Sequence, residues 1–245
     1  MSPLSRAVVL LTTVFLFLPL NAAAFDRGEV QKFATLPAGS PNPEGIATDE
    51  HGNVYVSTFA VPPRTSEGQV FVFGRNGHLQ REVSVQGASS QLLGLDFHPY
   101  TRELLVIDFG GGTVFKVNPF SGASSPFLNA PIAGSGLNAL TFDKQGRVYI
   151  SDSFGGIIWR TGQNGGVPEK WCESSLLRPL GTPPTGATPP FGANGVAFNK
   201  NGSALFVANT GDDRVIRIPV FADGATCAPE IFVNSINGAD GLIID

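Results

Sequence analysis

The chain has 245 residues and a formal net charge of −4, with 15% charged side chains and no basic cluster, which speaks against nucleic acid and against an anionic membrane surface as partners. Glycine (30) and proline (19) are plentiful and no long amphipathic helical period appears, so the composition points to one all-β domain.

Residues 1–6 carry one positive charge, residues 7–20 are an uncharged apolar run, and Asn21-Ala22-Ala23-Ala24 offers small residues before Phe25. That order is a secretory signal peptide. An apolar run of about 14 residues is short of the roughly 20 needed to cross hydrocarbon, so residues 1–24 read as a cleaved leader rather than an anchor. Residues 25–245 are therefore expected in the secretory lumen or outside the cell, with no membrane contact after cleavage.

From there the chain repeats itself. Glu44-Gly-Ile-Ala-Thr-Asp, Leu93-Gly-Leu-Asp-Phe-His, Asn138-Ala-Leu-Thr-Phe-Asp and Asn194-Gly-Val-Ala-Phe-Asn align without gaps, and Asp240-Gly-Leu-Ile-Ile opens a fifth phrase. The intervals run from 45 to 56 residues. Each of the four full phrases leads through a turn, polar and Gly-containing in three of them, to a second apolar strand such as Val54-Tyr-Val-Ser or Val148-Tyr-Ile-Ser. A third strand follows, such as Val70-Phe-Val-Phe, and then a weaker fourth, as at Pro126-Phe-Leu or Glu230-Ile-Phe-Val. Four short antiparallel strands per period is the β-propeller arrangement; a repeating sandwich would not explain one phrase at near-constant spacing. Four periods and the first strand of a fifth are expected. An open ring would leave sheet edges unpaired, so the chain reads as part of a longer propeller of six blades.

The residue before each Gly-apolar pair starts an innermost strand, where a side chain can face the central channel. Blade by blade this position holds Glu44, Leu93, Asn138, Asn194 and Asp240. Any one of them alone reads as turn chemistry. Oxygen-bearing side chains at one register in four of five periods point instead to a cation site. Calcium takes six to eight oxygen ligands in flexible geometry, and two carboxylates balance its charge; zinc is disfavoured without His or Cys. Leu93 is expected beside them as an apolar wall. His51, His78 and His98 fall in or beside turns and read as solvated turn residues rather than catalysts.

Pro43-Glu44-Gly45, Leu137-Asn138-Ala139, Ala193-Asn194-Gly195-Val196-Ala197-Phe198 and Ala239-Asp240-Gly241 resemble the four calcium-ligand motifs of the regucalcin/gluconolactonase family. That family of six-bladed, calcium-dependent hydrolases is similar to diisopropyl fluorophosphatase and paraoxonase. The resemblance spans about residues 30 to 245. It implies that Glu44, Asn138, Asn194 and Asp240 hold a catalytic calcium that polarises a lactone or phosphoryl oxygen, with Asp240 as general base or nucleophile. Leu93 stands where paraoxonases carry a catalytic His, so His-assisted chemistry is not implied.

Three further features complete the reading. Residues 173–191 lengthen the third interval with five prolines and lead into Asn194, so they form either a lid or a tolerated insertion. Cys172 and Cys227 either pair in an oxidising compartment or stay as two buried thiols. Asn201-Gly202-Ser203 is a glycosylation sequon in a hairpin turn. The expected activity is hydrolysis of a lactone or other small ester. The alternatives are a non-catalytic, ligand- or partner-binding propeller with structural calcium, and a strictosidine synthase-like propeller that needs no calcium.

Overall fold

Runs such as Leu104-Leu105-Val106-Ile107 are apolar at consecutive positions, so a strand built from them must bury both of its faces. In the computed structural model that is what happens. Leu104 and Val106 pack toward one neighbouring sheet, while Leu105 and Ile107 pack toward the other. The described residues are 30–179, 191–226 and 228–244. The propeller lies within the unit Phe33–Asp245. Residues 1–24, expected to be a leader, Cys227 and most of the Pro-rich loop lie outside the described residues.

Four four-stranded antiparallel sheets form the blades. The first contains β1 (Asn42–Thr48), β2 (Val54–Phe59), β3 (Gln69–Phe73) and β4 (Leu79–Ser84); the second β5 (Leu92–Phe97), β6 (Leu104–Asp108), β7 (Thr113–Val117) and β8 (Ser124–Asn129). The third contains β9 (Leu137–Phe142), β10 (Val148–Asp152), β11 (Ile157–Gly162) and β12 (Gly165–Glu173). The fourth contains β13 (Ala193–Phe198), β14 (Ala204–Asn209), β15 (Arg214–Pro219) and β16 (Glu230–Asn234). Within each sheet the strands follow chain order, and the innermost strands pack in succession, β1 on β5, β5 on β9 and β9 on β13. The all-β propeller expected from the repeat is the observed fold.

Each gap between blades holds its own core. Tyr55, Val70 and Val72 meet Leu92, Leu95 and Val106 between the first and second blades. Leu93, Leu105 and Ile107 meet Leu137, Leu140 and Ile150 between the second and third. Tyr149, Ile158 and Trp171 meet Val196, Leu205 and Ile216 between the third and fourth. Burial at about 25 cal/mol per Å² makes these sandwiched layers the main source of stability among the described residues.

Three expectations are corrected. Gly241–Ile244 form no strand, and Ile243 is exposed. In the other blades the inner strand's ladder partner is the second strand of its own sheet, and no such strand accompanies this segment among the described residues. Leu93 does not wall the channel; it is 5% exposed and packs between blades. His98 is not solvated. Its ring is fully buried, Nε2 donates to the Gly146 carbonyl at 2.8 Å, and Nδ1 accepts from the Tyr100 and Thr101 N–H groups. His51 and His78 are exposed, as expected. The sequon sits in the turn between β13 and β14, where Gly202 has φ +77° and Asn201 is exposed.

Candidate functional site

All four inner strands carry the same irregularity at the same place. From Pro43 to Ile46, Leu92 to Leu95, Leu137 to Leu140 and Ala193 to Val196 the inner strand advances three residues while its partner advances two. This is a β-bulge, which leaves one residue outside the ladder and re-aims its side chain. The bulges fall at Glu44-Gly45, Leu93-Gly94, Asn138-Ala139 and Asn194-Gly195, the pairs that open the repeated phrases. Gly or Ala follows because the neighbouring blade is too close for more. A Cβ on Gly45 would lie 2.5 Å from the Leu93 carbonyl oxygen, and one on Gly195 would lie 2.3 Å from that of Asp240.

The bulges bring the candidate residues together. Glu44, Asn138, Asn194 and Asp240 all line one cavity of about 690 Å³. Asp240 reaches it although its segment is not a strand, because the Gly195 N–H donates to the Asp240 carbonyl at 3.1 Å. The two carboxamides are buried, each 7% exposed, whereas the two carboxylates remain open to solvent.

The carboxamides are held by hydroxyls. Asn138 Nδ2 donates to Ser153 Oγ at 3.1 Å, and Asn194 Nδ2 donates to Thr210 Oγ1 at 3.0 Å. Ser153 Oγ donates in turn to the Ala193 carbonyl at 2.6 Å, and Thr210 Oγ1 to the Ala239 carbonyl at 2.7 Å. Each chain of bonds thus runs from one blade's channel residue to the backbone immediately before the next one.

The carboxylates carry unrelieved charge. Loss of water on burial, then the nearby charge of Asp240, raises the Glu44 pKa above the usual carboxylate range. Burial likewise raises that of Asp240, opposed by a hydrogen bond from Asn194. Because both groups keep solvent contact, screening makes these shifts small in energy.

The sequence pattern missed Asp96. It lies three residues beyond Leu93, lines the same cavity with Thr141, and receives only its neighbour Phe97's N–H among the hydrogen bonds described. Burial raises its pKa. No motif marks it, because the corresponding positions in the other blades are Ala47, Thr141 and Ala197. At the site's flank, Phe109 contacts Phe59, Phe154 and Phe191, with ring centroids 5.7 to 5.8 Å apart. Phe59 closes β2, Phe109 directly follows β6 and Phe154 comes two residues after β10, so these rings border the bulged ends of the inner strands.

No family model and no curated protein matches the chain. Solved structures do. A gluconolactonase from Xanthomonas campestris aligns with a TM-score of 0.61 and 16% identity over 84% of this chain and 67% of its own. A streptogramin B lyase aligns at 0.58 and 14% over 80% and 56%, and a nidogen/laminin complex chain at 0.66 and 13% over 91% and 76%. The likeness shows the fold alone. The chain spans little more than half the length of that lyase.

The donor set suits a hard divalent cation. It is made only of oxygens, its two carboxylates are held near each other without a cationic partner, and both of their pKa values are raised. Among the described residues, no three or more His, Cys, Asp or Glu side chains cluster as a metal site, so any ion here depends on the two carboxamides.

Proposed function

We propose that this propeller is a hydrolase of lactones or other small esters, with calcium held by Glu44, Asn138, Asn194 and Asp240. The observation that carries the reading is the convergence of two carboxylates and two hydroxyl-anchored carboxamides on one axial cavity. The likeness to a gluconolactonase supports it at the level of the fold. When bound, the ion would supply Lewis-acid polarisation of an ester or lactone carbonyl.

The chain's own residues supply the rest. Asp240, exposed where it lines the cavity, would take a proton from an attacking water or attack the carbonyl itself. Asn194, whose Nδ2 donates to Thr210, lies beside Asp240 and favours its charged form. The cavity is far larger than an ion, and Ile46, Leu95, Leu140 and Val196 give it apolar walls for the remainder of a small substrate. Export through the leader at residues 1–24 would bring the site to a compartment where calcium sites of modest affinity fill.

The test is turnover of a panel of lactones, esters and phosphotriesters by the full chain, with calcium and after chelation. Turnover lost on chelation and restored by calcium is expected; no turnover in either state would overturn the enzymatic reading.

A second reading is a non-catalytic propeller that binds a partner, with calcium as a structural plug. The alignment with the nidogen/laminin complex chain, which covers 91% of this chain, favours it. Calcium binding without turnover would select it.

A further inference from the structure

We propose that Ser153 and Thr210 are positioning residues that fix which way the Asn138 and Asn194 carboxamides face, so that both present oxygen to the axis. The inference rests on the reading of the axial set as a cation site, and goes beyond it by assigning a function to two hydroxyls outside the set.

A hydroxyl has a single proton to give. That of Ser153 is committed to the Ala193 carbonyl, an obligate acceptor 2.6 Å away, and that of Thr210 to the Ala239 carbonyl at 2.7 Å. Each hydroxyl oxygen is left as an acceptor only. It therefore takes the Nδ2 of its carboxamide and repels Oδ1, since a flipped amide would set two lone pairs against each other. With one Nδ2 hydrogen taken by the hydroxyl, Oδ1 is the end left to face the cavity that both Asn side chains line, while the second Nδ2 hydrogen of Asn194 is directed at Asp240. Without this lock an amide is ambiguous, because its N and O ends are nearly the same size, and an NH₂ group repels a cation.

The repeat supplies an internal comparison. Asp152 and Asn209 pair with Leu137 and Ala193, the residues before the two carboxamides, and Ser153 and Thr210 follow them. In the first and second blades the corresponding pairs are Thr58 with Pro43 and Asp108 with Leu92, and the residues that follow are Phe59 and Phe109. Hydroxyls thus occur at this register in both blades whose channel residue is a carboxamide. They are absent from the blade with Glu44, whose two oxygens need no orienting, and from the blade with Leu93, which points away. A purely structural need for a hydroxyl at the end of a second strand would not follow the identity of the channel residue.

The second acceptors also matter. Ala193 and Ala239 immediately precede Asn194 and Asp240, so each hydroxyl ties one channel residue to the backbone that sets the next. Loss of Ser153 should therefore be felt at both Asn138 and Asn194.

Calorimetric titration of the full chain with calcium alone tests this, alongside melting temperatures measured in chelator. Ser153→Ala and Thr210→Val are each expected to weaken calcium binding by about 10- to 100-fold, the usual range for groups that orient metal ligands. Ser153→Thr and Thr210→Ser, which keep the hydroxyl, should restore it. Phe59→Leu, at the same register in the first blade, should change the melting temperature but leave calcium affinity within about twofold. In an Asn138→Asp background the carboxylate has no amide end to orient, so adding Ser153→Ala should no longer change affinity; this coupling stands even if single variants lose stability. Wild-type binding with unchanged affinity in Ser153→Ala and Thr210→Val would overturn the positioning role while leaving the cation reading intact. Absence of calcium binding by the wild type would overturn the cation reading, and the positioning role with it.

Discussion

Glu44 and Asp240 come from the first and last phrases of the repeat and face one cavity, where burial and the charge of Asp240 together raise the Glu44 pKa. Two like charges held near each other gain from a cation between them, and Asp240 is the one to which the proposed reaction gives the role of base or nucleophile. Asp240→Asn keeps an oxygen but loses the charge and any base or nucleophile. It should lower lactone or ester turnover by about 10²- to 10⁴-fold, the usual contribution of an acid–base group. It should also weaken calcium less than Asp240→Ala does, as judged by steady-state kinetics beside calorimetry.

Calcium should stabilise the fold because its ligands come from separate blades. A ligand at a hundredfold excess over Kd stabilises by about 2.7 kcal/mol, and in a domain of this size each kcal/mol moves Tm by about 2–4 °C. Scanning calorimetry should therefore show Tm falling by roughly 5–10 °C on chelation. An unchanged Tm would mean that the four residues are turn chemistry.

Leu93 offers a control for the channel. Its side chain is buried between the second and third blades, so Leu93→Ala should cost about 2–5 kcal/mol by denaturant titration. Calcium affinity should stay unchanged. A large affinity loss without destabilisation would place Leu93 back in the channel.

Asp96 gives the pH prediction. Burial raises its folded pKa, so folding favours the protonated form. The sign is then fixed: its contribution is most favourable below the unfolded value of about 3.9 and is lost as pH rises through the higher folded value. No charged side chain contributes to this shift, and the only opposing influence is the Phe97 N–H. Asp96→Asn should therefore raise Tm in chelator at pH 7 relative to wild type, with the difference shrinking toward pH 4. Equal differences at both pH values would refute the burial argument.

The repeat was legible because a propeller writes the same physical programme four times. Short apolar strands recurred after each phrase, and Glu44, Asn138, Asn194 and Asp240 shared one register. What escaped the pattern depends on neighbours that the repeat does not encode. His98 follows a strand and looks like a turn residue, yet Gly146 of the next blade supplies a carbonyl that draws its ring inward. Leu93 occupies the channel register, but a side chain that gains by leaving water turns toward Leu105 and Ile107. Ser153 and Thr210 were ordinary strand-end hydroxyls until the carbonyls of Ala193 and Ala239 fixed their protons. Asp96 was unremarkable until the cavity around it was visible.

Whether four oxygen-bearing side chains form one cation site is decided by calorimetric titration of the full chain with calcium. One ion should bind per chain, and the binding heat should be abolished when Asn194→Ala and Asp240→Ala are combined. Binding heat that persists unchanged in that double variant, or no heat in the wild type, would contradict it.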